Sequence, residues 1–593
     1  MTVWSDTLST EENTAPLHRR LLAWLTLERL GYVALFVLAL TLRLAKLGHA
    51  ALSPAEATQA VAALDALAQR TALPASGVSP LLLTAQWLFF LLARPAEAAA
   101  RILPALLGAA VVPLAYGLRH ELGRLAALGT ALLLACSATL VFWSRQATGE
   151  ALVIFGSVAL IVSLVGWRRG ESAAPWGVAA ALAVLLLSAP VAYSVLLAAA
   201  PLSLLAVLST PRPPRTRVLT AALGLLTVLF LGATGFFFLP GGLAATADLP
   251  AVWLHGFTRG ADPLGSLTLV STSTLPAALI TLFWLDPLVV AVGLGGLAVG
   301  LRRRHWLAQG LSLWLLLALL LLVVRGSRTT ADLIVLMPPL AVLGGWGLVT
   351  FARRFDLGEY RREGLILLIA GLVVLLSTAV WLSEYTETLK GTPQPAFLIS
   401  AAATLVILVA LVAAYVVLFN RQLAGQVLLA LAMLVLTLLG LRGATLISLN
   451  NEPLRWNSLE PVAGAADSFE LTHSLAQQAR LRGDDLRDLP VAFLTPPGNS
   501  VPALLRWVAR DAVIITPNTD NPDLVLLGLV DASAEQQAAP GPNYSGQSFR
   551  IAQRWSPDGL TVANWLRWLL YGYYGAAQSQ QRAVLWVPAG SAP

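Results

Sequence analysis

Residues 80–93, PLLLTAQWLFFLLA, decide which side of a membrane the later loops of this chain reach. The stretch is apolar, but it is shorter than the roughly 20 residues that a helix needs to cross about 30 Å of hydrocarbon. If it does not cross, nearly all the arginine clusters between the apolar segments fall on one side, as the positive-inside rule favours. We therefore predict that 80–93 lies in the interface or re-enters, and that the N-terminus is cytoplasmic.

The composition around this stretch excludes a water-soluble protein. Hydrophobic residues make up 57% of the 593 residues and charged residues only 12%, against roughly 25% charged in soluble proteins. A single cysteine, Cys136, excludes an internal disulfide and a cysteine metal cluster. The net charge of +7 comes mainly from arginines between apolar runs, which is typical of membrane topology. We predict a polytopic α-helical membrane protein with no nucleic-acid partner.

The apolar runs predict about thirteen transmembrane helices. The predicted spans are 31–48, 99–118, 125–143, 151–167, 174–189, 191–208, 218–239, 283–301, 307–324, 331–350, 364–383, 397–419 and 424–441. An odd number of crossings from a cytoplasmic N-terminus places the C-terminus outside the cell.

Three parts follow from this count. Residues 1–30 form a cytoplasmic N-terminal segment, and residues 31–442 form the transmembrane part with long external loops at 49–98 and 240–282. Residues 443–593 alternate short β-like runs with a helical pattern, which predicts a small external α/β domain. We place the protein in the cell (plasma or inner) membrane as a multi-pass protein.

Two carboxylates and one arginine are predicted to meet at the external boundary. Glu56 closes a capping box, Ser53-Pro54-x-Glu56, just beyond the first span, and Glu150 opens the fourth span five residues after Arg145. The arginine would hold an anion and a carboxylate would take a proton from an acceptor hydroxyl. In the structural alternative, Glu56 only caps its own helix, Glu150 stabilises a helix N-terminus, and Arg145 reaches towards the interface.

Further candidates lie on the same predicted side. His255 and Arg259 belong to the second long loop, and Arg328 follows the ninth span. We predict that these three residues contact substrate together with Arg145. No second histidine stands at metal spacing, so the sequence indicates no metal site, and metal dependence stays open.

The chain resembles the GT-C superfamily of polyprenyl-phosphate-sugar glycosyltransferases in several stretches. The similar stretches are ARILPALLGAAVVPLAYGLRHELG (100–123), ATLVFWSRQATGEAL (138–152) and RTTADLIVLMPPLAVLGGWGL (328–348). The nearest branch is that of the protein O-mannosyltransferases and lipid A aminoarabinose transferases, together with the flippase-associated proteins. The resemblance implies a GT-C-like fold and inverting transfer of a sugar from a polyprenyl-phosphate carrier to an external lipid, glycan or protein, with Glu56 and Glu150 as catalytic residues.

Two positions depart from the family. The family carries Asp-Glu early in its first external loop, where this chain has Ala55-Glu56, and a basic residue or histidine where this chain has Val78. Alanine cannot accept a proton and valine cannot bind a phosphate. The alternatives are therefore an active transferase, a catalytically degenerate accessory or structural subunit of a membrane complex, or a lipid-linked sugar flippase. The expected partners are membrane lipids, the polyprenyl-phosphate sugar and, in the second case, other membrane subunits, with no cofactor besides the lipid-linked donor.

Overall fold

The computed structural model describes most of the membrane part and the framework of the C-terminal domain. The described residues are 26–68, 76–209, 214–258, 275–326, 328–354, 361–386, 395–418, 421–449, 462–483, 485–494, 501–515, 524–530, 544–554 and 579–588. Most of the predicted N-terminal segment, 1–30, lies outside them.

Helices form nearly all of the described residues up to residue 449. They are α1 (Leu27–Leu44), α2 (Pro54–Leu67), α3 (Pro80–Leu92), α4 (Glu97–Leu114), α5 (Arg119–Leu122), α6 (Arg124–Cys136), α7 (Ala138–Ser144), α8 (Glu150–Arg168), α9 (Ala174–Leu186), α10 (Val191–Leu208), α11 (Arg215–Ala233), α12 (Gly241–His255), α13 (Leu275–Leu285), α14 (Pro287–Arg302), α15 (Trp306–Val324), α16 (Met337–Arg354), α17 (Arg361–Thr386), α18 (Pro395–Leu418) and α19 (Arg421–Leu449). A 3₁₀ turn, Thr330–Val335, precedes α16.

Nine helices among the described residues are long and apolar enough to cross a membrane, and up to eleven if each of two bent pairs is one span. The pairs are α6 with α7, bent by 57°, and α13 with α14, bent by 94°. Each of the thirteen predicted spans overlaps a helix or a bent pair. The two beyond these eleven correspond to α1 and to the 13-residue α9, so crossing by both stays a prediction.

The deciding stretch forms α3, a helix of 13 residues, which rises about 20 Å; that it does not cross the membrane stays a prediction. At its start, Ser79 N donates to Gln59 Oε1 of α2 at 2.8 Å. Near its end, the Phe90 ring lies 6.0 Å from the ring of Trp507 in the C-terminal domain. Both ends of α3 therefore contact one layer, made of α2 and the C-terminal domain.

The C-terminal domain combines one mixed sheet with helices α20 (Asp467–Leu481) and α21 (Ala503–Val508). Its strands are β1 (Val462–Gly464), β2 (Pro490–Leu494), β3 (Val513–Ile515), β4 (Val525–Val530), β5 (Tyr544–Arg554) and β6 (Ser579–Pro588). They follow the order β1-β5-β6-β4-β2-β3, with β2 parallel to β3 and β4 and the other pairs antiparallel.

The boundary predicted at residue 443 falls within helix α19. Helix α19 continues to Leu449, because the apolar sequence ATLISL after Gly443 keeps a helix favourable in lipid. Beyond it, the described part contains both helices and strands, and the external location of this domain stays a prediction.

The first long loop and the C-terminal domain share one hydrophobic core. Ala57 and Val61 of α2 belong to the same buried cluster as Leu505 and Trp507 of α21. Arg506 forms an ion pair with Asp65 at the edge of this cluster. The domain therefore packs directly on α2, and the two lie at the same end of the helix bundle.

Candidate functional site

Glu56 lies in the first turn of α2 with only 1% of its surface exposed. Its carboxylate accepts hydrogen bonds from Ser53 N at 2.9 Å and from Ala147 N at 2.7 Å. The Arg101 guanidinium donates through Nε to Oε1 at 2.6 Å and through Nη2 to Oε2 at 2.7 Å. The expected capping box is present, but the same carboxylate also joins α2 to α4 and to the loop between α7 and α8.

Arg101 was not singled out from the sequence. It is buried, and besides Glu56 it donates to the carbonyls of Leu47, Ala50 and Ala51 in the loop between α1 and α2. A lone charge inside the apolar helix EAAARILPALL is a functional or structural candidate by default, and that signal could have found it. Arg101 thus fixes the path of the first loop as well as the position of Glu56.

Arg145 follows α7 directly and is 8% exposed. Its hydrogen bonds within the described part of the chain come from Nη1, which donates to Leu42 O at 3.0 Å and to Arg43 O at 2.9 Å. Burial and then the charge of Arg101 lower the pKa of Arg145 to about 10, against the raising effect of Glu56. The guanidinium therefore stays charged at neutral pH, with backbone carbonyls as its partners.

Glu150 begins α8 and differs from Glu56 in its surroundings. Its Oε2 is buried and has no hydrogen-bond partner among the residues that the structure describes, and the Thr148 hydroxyl lies beside the carboxylate. The backbone at Gly149 is packed against Ser188 O and the side chain of Ser79, which leaves no space for a Cβ atom. Glu150 is thus held close to the start of α3 with one carboxylate oxygen unused.

These contacts bring the two carboxylate neighbourhoods together. Ala147, which donates to Glu56, stands between Arg145 and Glu150 in one short loop. The first-loop helix and the start of α8 therefore meet at the same end of the bundle.

Of the remaining predicted residues, Arg328 and His255 belong to the described part of the chain. Arg328 donates to Leu322 O at 2.7 Å and to Val323 O at 2.9 Å, so it caps the last carbonyls of α15. His255 is exposed at the end of α12. Arg259 lies outside the described residues. Contact of these three with substrate stays a prediction.

A buried acid orients the helix that carries Arg145. Asp286 lies in the break between α13 and α14, and its carboxylate accepts from Ala138 N and Thr139 N, both at 2.9 Å. These are the first N–H groups of α7, which have no partner inside their own helix. Asp286 therefore caps α7 from outside that helix.

A buried arginine, Arg43, binds the helix end on the other side of the bend between α6 and α7. Arg43 is fully buried and donates to Leu134 O at 3.1 Å and to Ala135 O at 3.2 Å. Both carbonyls belong to the last turn of α6, where they lack partners inside that helix. The bend between α6 and α7 is therefore stabilised at both helix ends by charges from other helices, as irregular backbone inside a membrane requires.

Most of the chain matches solved structures by its fold. The structure of ArnT from Cupriavidus metallidurans in the apo state superposes with a TM-score of 0.54 at 15% identity, covering 95% of this chain and 99% of ArnT. This chain has the GT-C fold. ArnT bound to undecaprenyl phosphate gives a TM-score of 0.49 at 14% identity, over 94% of this chain and 98% of that one. The apo oligosaccharyltransferase of Archaeoglobus fulgidus gives 0.47 at 12%, over 86% and 70%.

No family model and no curated protein sequence matches the chain. Within the GT-C fold, the two departures seen in the sequence occupy different environments. Ala55 is exposed in the first turn of α2 beside Glu56, whereas Val78 is buried in the apolar cluster under α2. Neither position supplies a group that can titrate. In the described residues, no three His, Cys, Asp or Glu side chains are grouped so that they could hold a metal.

Proposed function

We propose that this GT-C protein transfers a sugar from a polyprenyl-phosphate carrier to an acceptor on the outer side of the membrane. One observation carries the proposal. A buried guanidinium bonded to backbone carbonyls, Arg145, precedes by five residues a buried carboxylate oxygen without a partner, that of Glu150. In such a pair, the arginine can bind an anion and the carboxylate can accept a proton from a hydroxyl.

The reaction assigns one role to each side chain. The acceptor oxygen bonds to the anomeric carbon, the bond from that carbon to the phosphate oxygen breaks, and the polyprenyl phosphate leaves with the electron pair. Glu150 accepts the acceptor's proton through its free oxygen. Arg145 stabilises the charge that grows on the leaving phosphate.

Glu56 suits a positioning role better than that of a base. A base needs a free oxygen within reach of the proton, and both oxygens of Glu56 are engaged by Arg101. Protonating Glu56 would also leave the buried Arg101 charge without its counterion. Glu56 and Arg101 together hold the first loop against the residues that precede Glu150.

The proposed donor and orientation have separate support. ArnT of C. metallidurans, whose apo structure shares the fold, has been solved with undecaprenyl phosphate, which supports a polyprenyl-phosphate carrier for this chain. Arg302–Arg304 lie with Arg168 at the far end of α8 from Glu150, and this clustering of arginines supports a cytoplasmic location for that opposite end. The C-terminal domain and α2 then lie outside.

A second candidate is a GT-C accessory subunit without catalysis. The observation that favours it is the pair of departures from the family. Ala55, exposed beside the site, cannot accept a proton, and Val78, which is buried, cannot bind a phosphate. Such a protein would still bind a lipid phosphate at Arg145 but would release no sugar. No contact in the described residues favours the flippase alternative.

Binding and turnover separate these candidates. With the protein in nanodiscs, we expect undecaprenyl phosphate to bind the wild type and Arg145→Met to weaken binding about tenfold, since charge-assisted hydrogen bonds contribute roughly 1.5–3 kcal/mol. Arg480→Met, an exposed arginine on α20, is the control and should bind like the wild type. Failure of the wild type to bind the lipid contradicts both candidates.

Turnover is measured as polyprenyl phosphate released from a panel of polyprenyl-phosphate sugars. We expect Glu150→Gln to keep lipid binding and to lose release by about 10²- to 10⁴-fold, the usual effect of removing a general base. The control is Glu171→Gln, at an exposed position in the turn that follows α8. This variant should release polyprenyl phosphate like the wild type. Lipid binding without release by any form supports the accessory subunit.

A further inference from the structure

At the end of the bundle opposite α2, the Glu121 carboxylate and the Trp306 ring hold three turns together. The turns are Arg119–Leu122, the end of α8 at Arg168, and Arg303–His305. Trp306 Nε1 donates to Glu121 Oε2 at 3.3 Å, and His305 Nε2 lies 3.4 Å from the same oxygen. The Trp306 ring also faces the Arg168 guanidinium, whose Cζ lies 4.5 Å from the ring centroid. We refer to these three turns with Trp306 as the opposite-end cluster.

Positive charge is in excess at this end. Seven arginines lie in or beside the cluster, against three carboxylates. The arginines are Arg119, Arg124, Arg168, Arg169, Arg302, Arg303 and Arg304. The carboxylates are already engaged: Glu28 lies 3.7 Å from Arg124, Glu171 lies 2.8 Å from Arg169, and Glu121 is shared by Trp306 and His305. Arg168 is thus left with an aromatic ring instead of a carboxylate.

Arg168 also has an unused donor. Its Nη1 is buried and has no hydrogen-bond acceptor among the described residues, although the side chain as a whole is half-buried and reachable from outside. Buried donors without acceptors are rare in folded proteins and cost free energy. An acceptor that carries negative charge and approaches from the membrane interface would reach the exposed part of the Arg168 side chain and offset the excess charge.

The surroundings favour a lipid as the source of that acceptor. Trp306 is the residue type that prefers the headgroup level of a bilayer, and Leu301, directly before the arginine run, is 43% exposed on the apolar surface of α14. A phospholipid places its phosphate at the depth of the guanidinium while its acyl chains follow the exposed leucines. A free phosphate ion would use only the charges and not this apolar surface.

We propose that the opposite-end cluster binds the headgroup phosphate of an anionic phospholipid, with Arg168 as the direct contact. The site is separate from the proposed sugar-transfer site, because Glu150 and Arg168 stand at opposite ends of α8. It therefore does not depend on the proposed function.

The test is the retention of phosphatidylglycerol by the full chain in mild detergent, counted by native mass spectrometry. We expect the wild type to keep phosphatidylglycerol over phosphatidylcholine, and Arg168→Met to reduce the fraction with bound phosphatidylglycerol about tenfold, as for loss of a charge-assisted contact. Arg480→Met should retain the lipid like the wild type. Arg168→Lys keeps the charge without the planar fork, so its retention should fall between the two.

Three results would overturn the proposal. One is equal phosphatidylglycerol retention by the wild type and both Arg168 variants. Another is equal retention of phosphatidylcholine, and the third is complete displacement of the lipid by inorganic phosphate, which would indicate a site for the free ion. Undecaprenyl phosphate binding should be the same in Arg168→Met and the wild type, so failure of one proposal is distinguishable from failure of the other.

Discussion

Arg101 and Glu56 form a buried ion pair in which the guanidinium donates to both carboxylate oxygens, at 2.6 and 2.7 Å. The pair connects α4 to α2, and through Ala147 N it also holds the loop that carries Arg145 and leads to Glu150. The carboxylate that the sequence marks as a candidate base is thereby committed to holding the site together. The free carboxylate oxygen of the site belongs to Glu150.

Replacing Arg101 should destabilise the protein strongly. In Arg101→Met, Glu56 stays buried without its counterion, and breaking a buried pair in this way costs about 3–5 kcal/mol. The measurement is the free energy of unfolding in detergent, compared with Arg480→Met, which should unfold like the wild type. An Arg101→Met protein as stable as the wild type would show that the pair does not hold the first loop.

The bend between α6 and α7 should depend on Asp286. Asp286→Ala leaves the N–H groups of Ala138 and Thr139 without acceptors, at about 1–3 kcal/mol for each buried group. We expect a lower unfolding midpoint than for Asp488→Ala, a control at an exposed position. Equal midpoints would mean that another group caps α7.

A close approach of helices near Arg43 should make Gly108 sensitive to substitution. A Cβ atom at Gly108 would collide with the Ser144 side chain and lie 3.0 Å from Arg43 Nε, so Gly108→Ala should cost about 1–3 kcal/mol. Gly295→Ala is the matched control, because a Cβ there meets nothing within 4 Å, and it should stabilise α14 by roughly 0.5–1 kcal/mol. If both variants shift the unfolding midpoint equally, the described packing of α4 on α7 is wrong.

An ion pair should make the C-terminal domain sensitive to acid. Partial burial favours the neutral acid, but the hydrogen bonds and charge of Arg550 outweigh it and lower the pKa of Asp467. The pair therefore stabilises the domain above the unfolded pKa of about 3.9, and this contribution is lost as the pH falls through the lower folded value. The protection of β5 amides against hydrogen exchange, relative to the intrinsic rate at each pH, should fall over that range in the wild type. It should fall less in Arg550→Met, which lacks the ion pair.

Local sequence signals predicted most of the helical fold. Apolar runs mark the spans, and the capping box at Ser53 and Glu56 is present as expected. Partners that are distant in the chain could not be predicted, because one sequence carries no signal for pairing. Arg101 stands 45 residues from Glu56, and Asp286 stands 148 residues from Ala138. The end of α19 at Leu449 was missed because the apolar character declines gradually there.

A labelling measurement of membrane sidedness distinguishes whether α2 and the C-terminal domain share the outer surface while the opposite-end cluster faces inward. In a Cys136→Ser background, single cysteines at the exposed positions Ala55, Arg480 and Arg303 are labelled on intact cells with an impermeant maleimide. We predict that Ala55→Cys and Arg480→Cys react on intact cells, and that Arg303→Cys reacts only after permeabilisation. Labelling of Ala55→Cys and Arg303→Cys from the same side would contradict the proposed orientation of α2 and the opposite-end cluster.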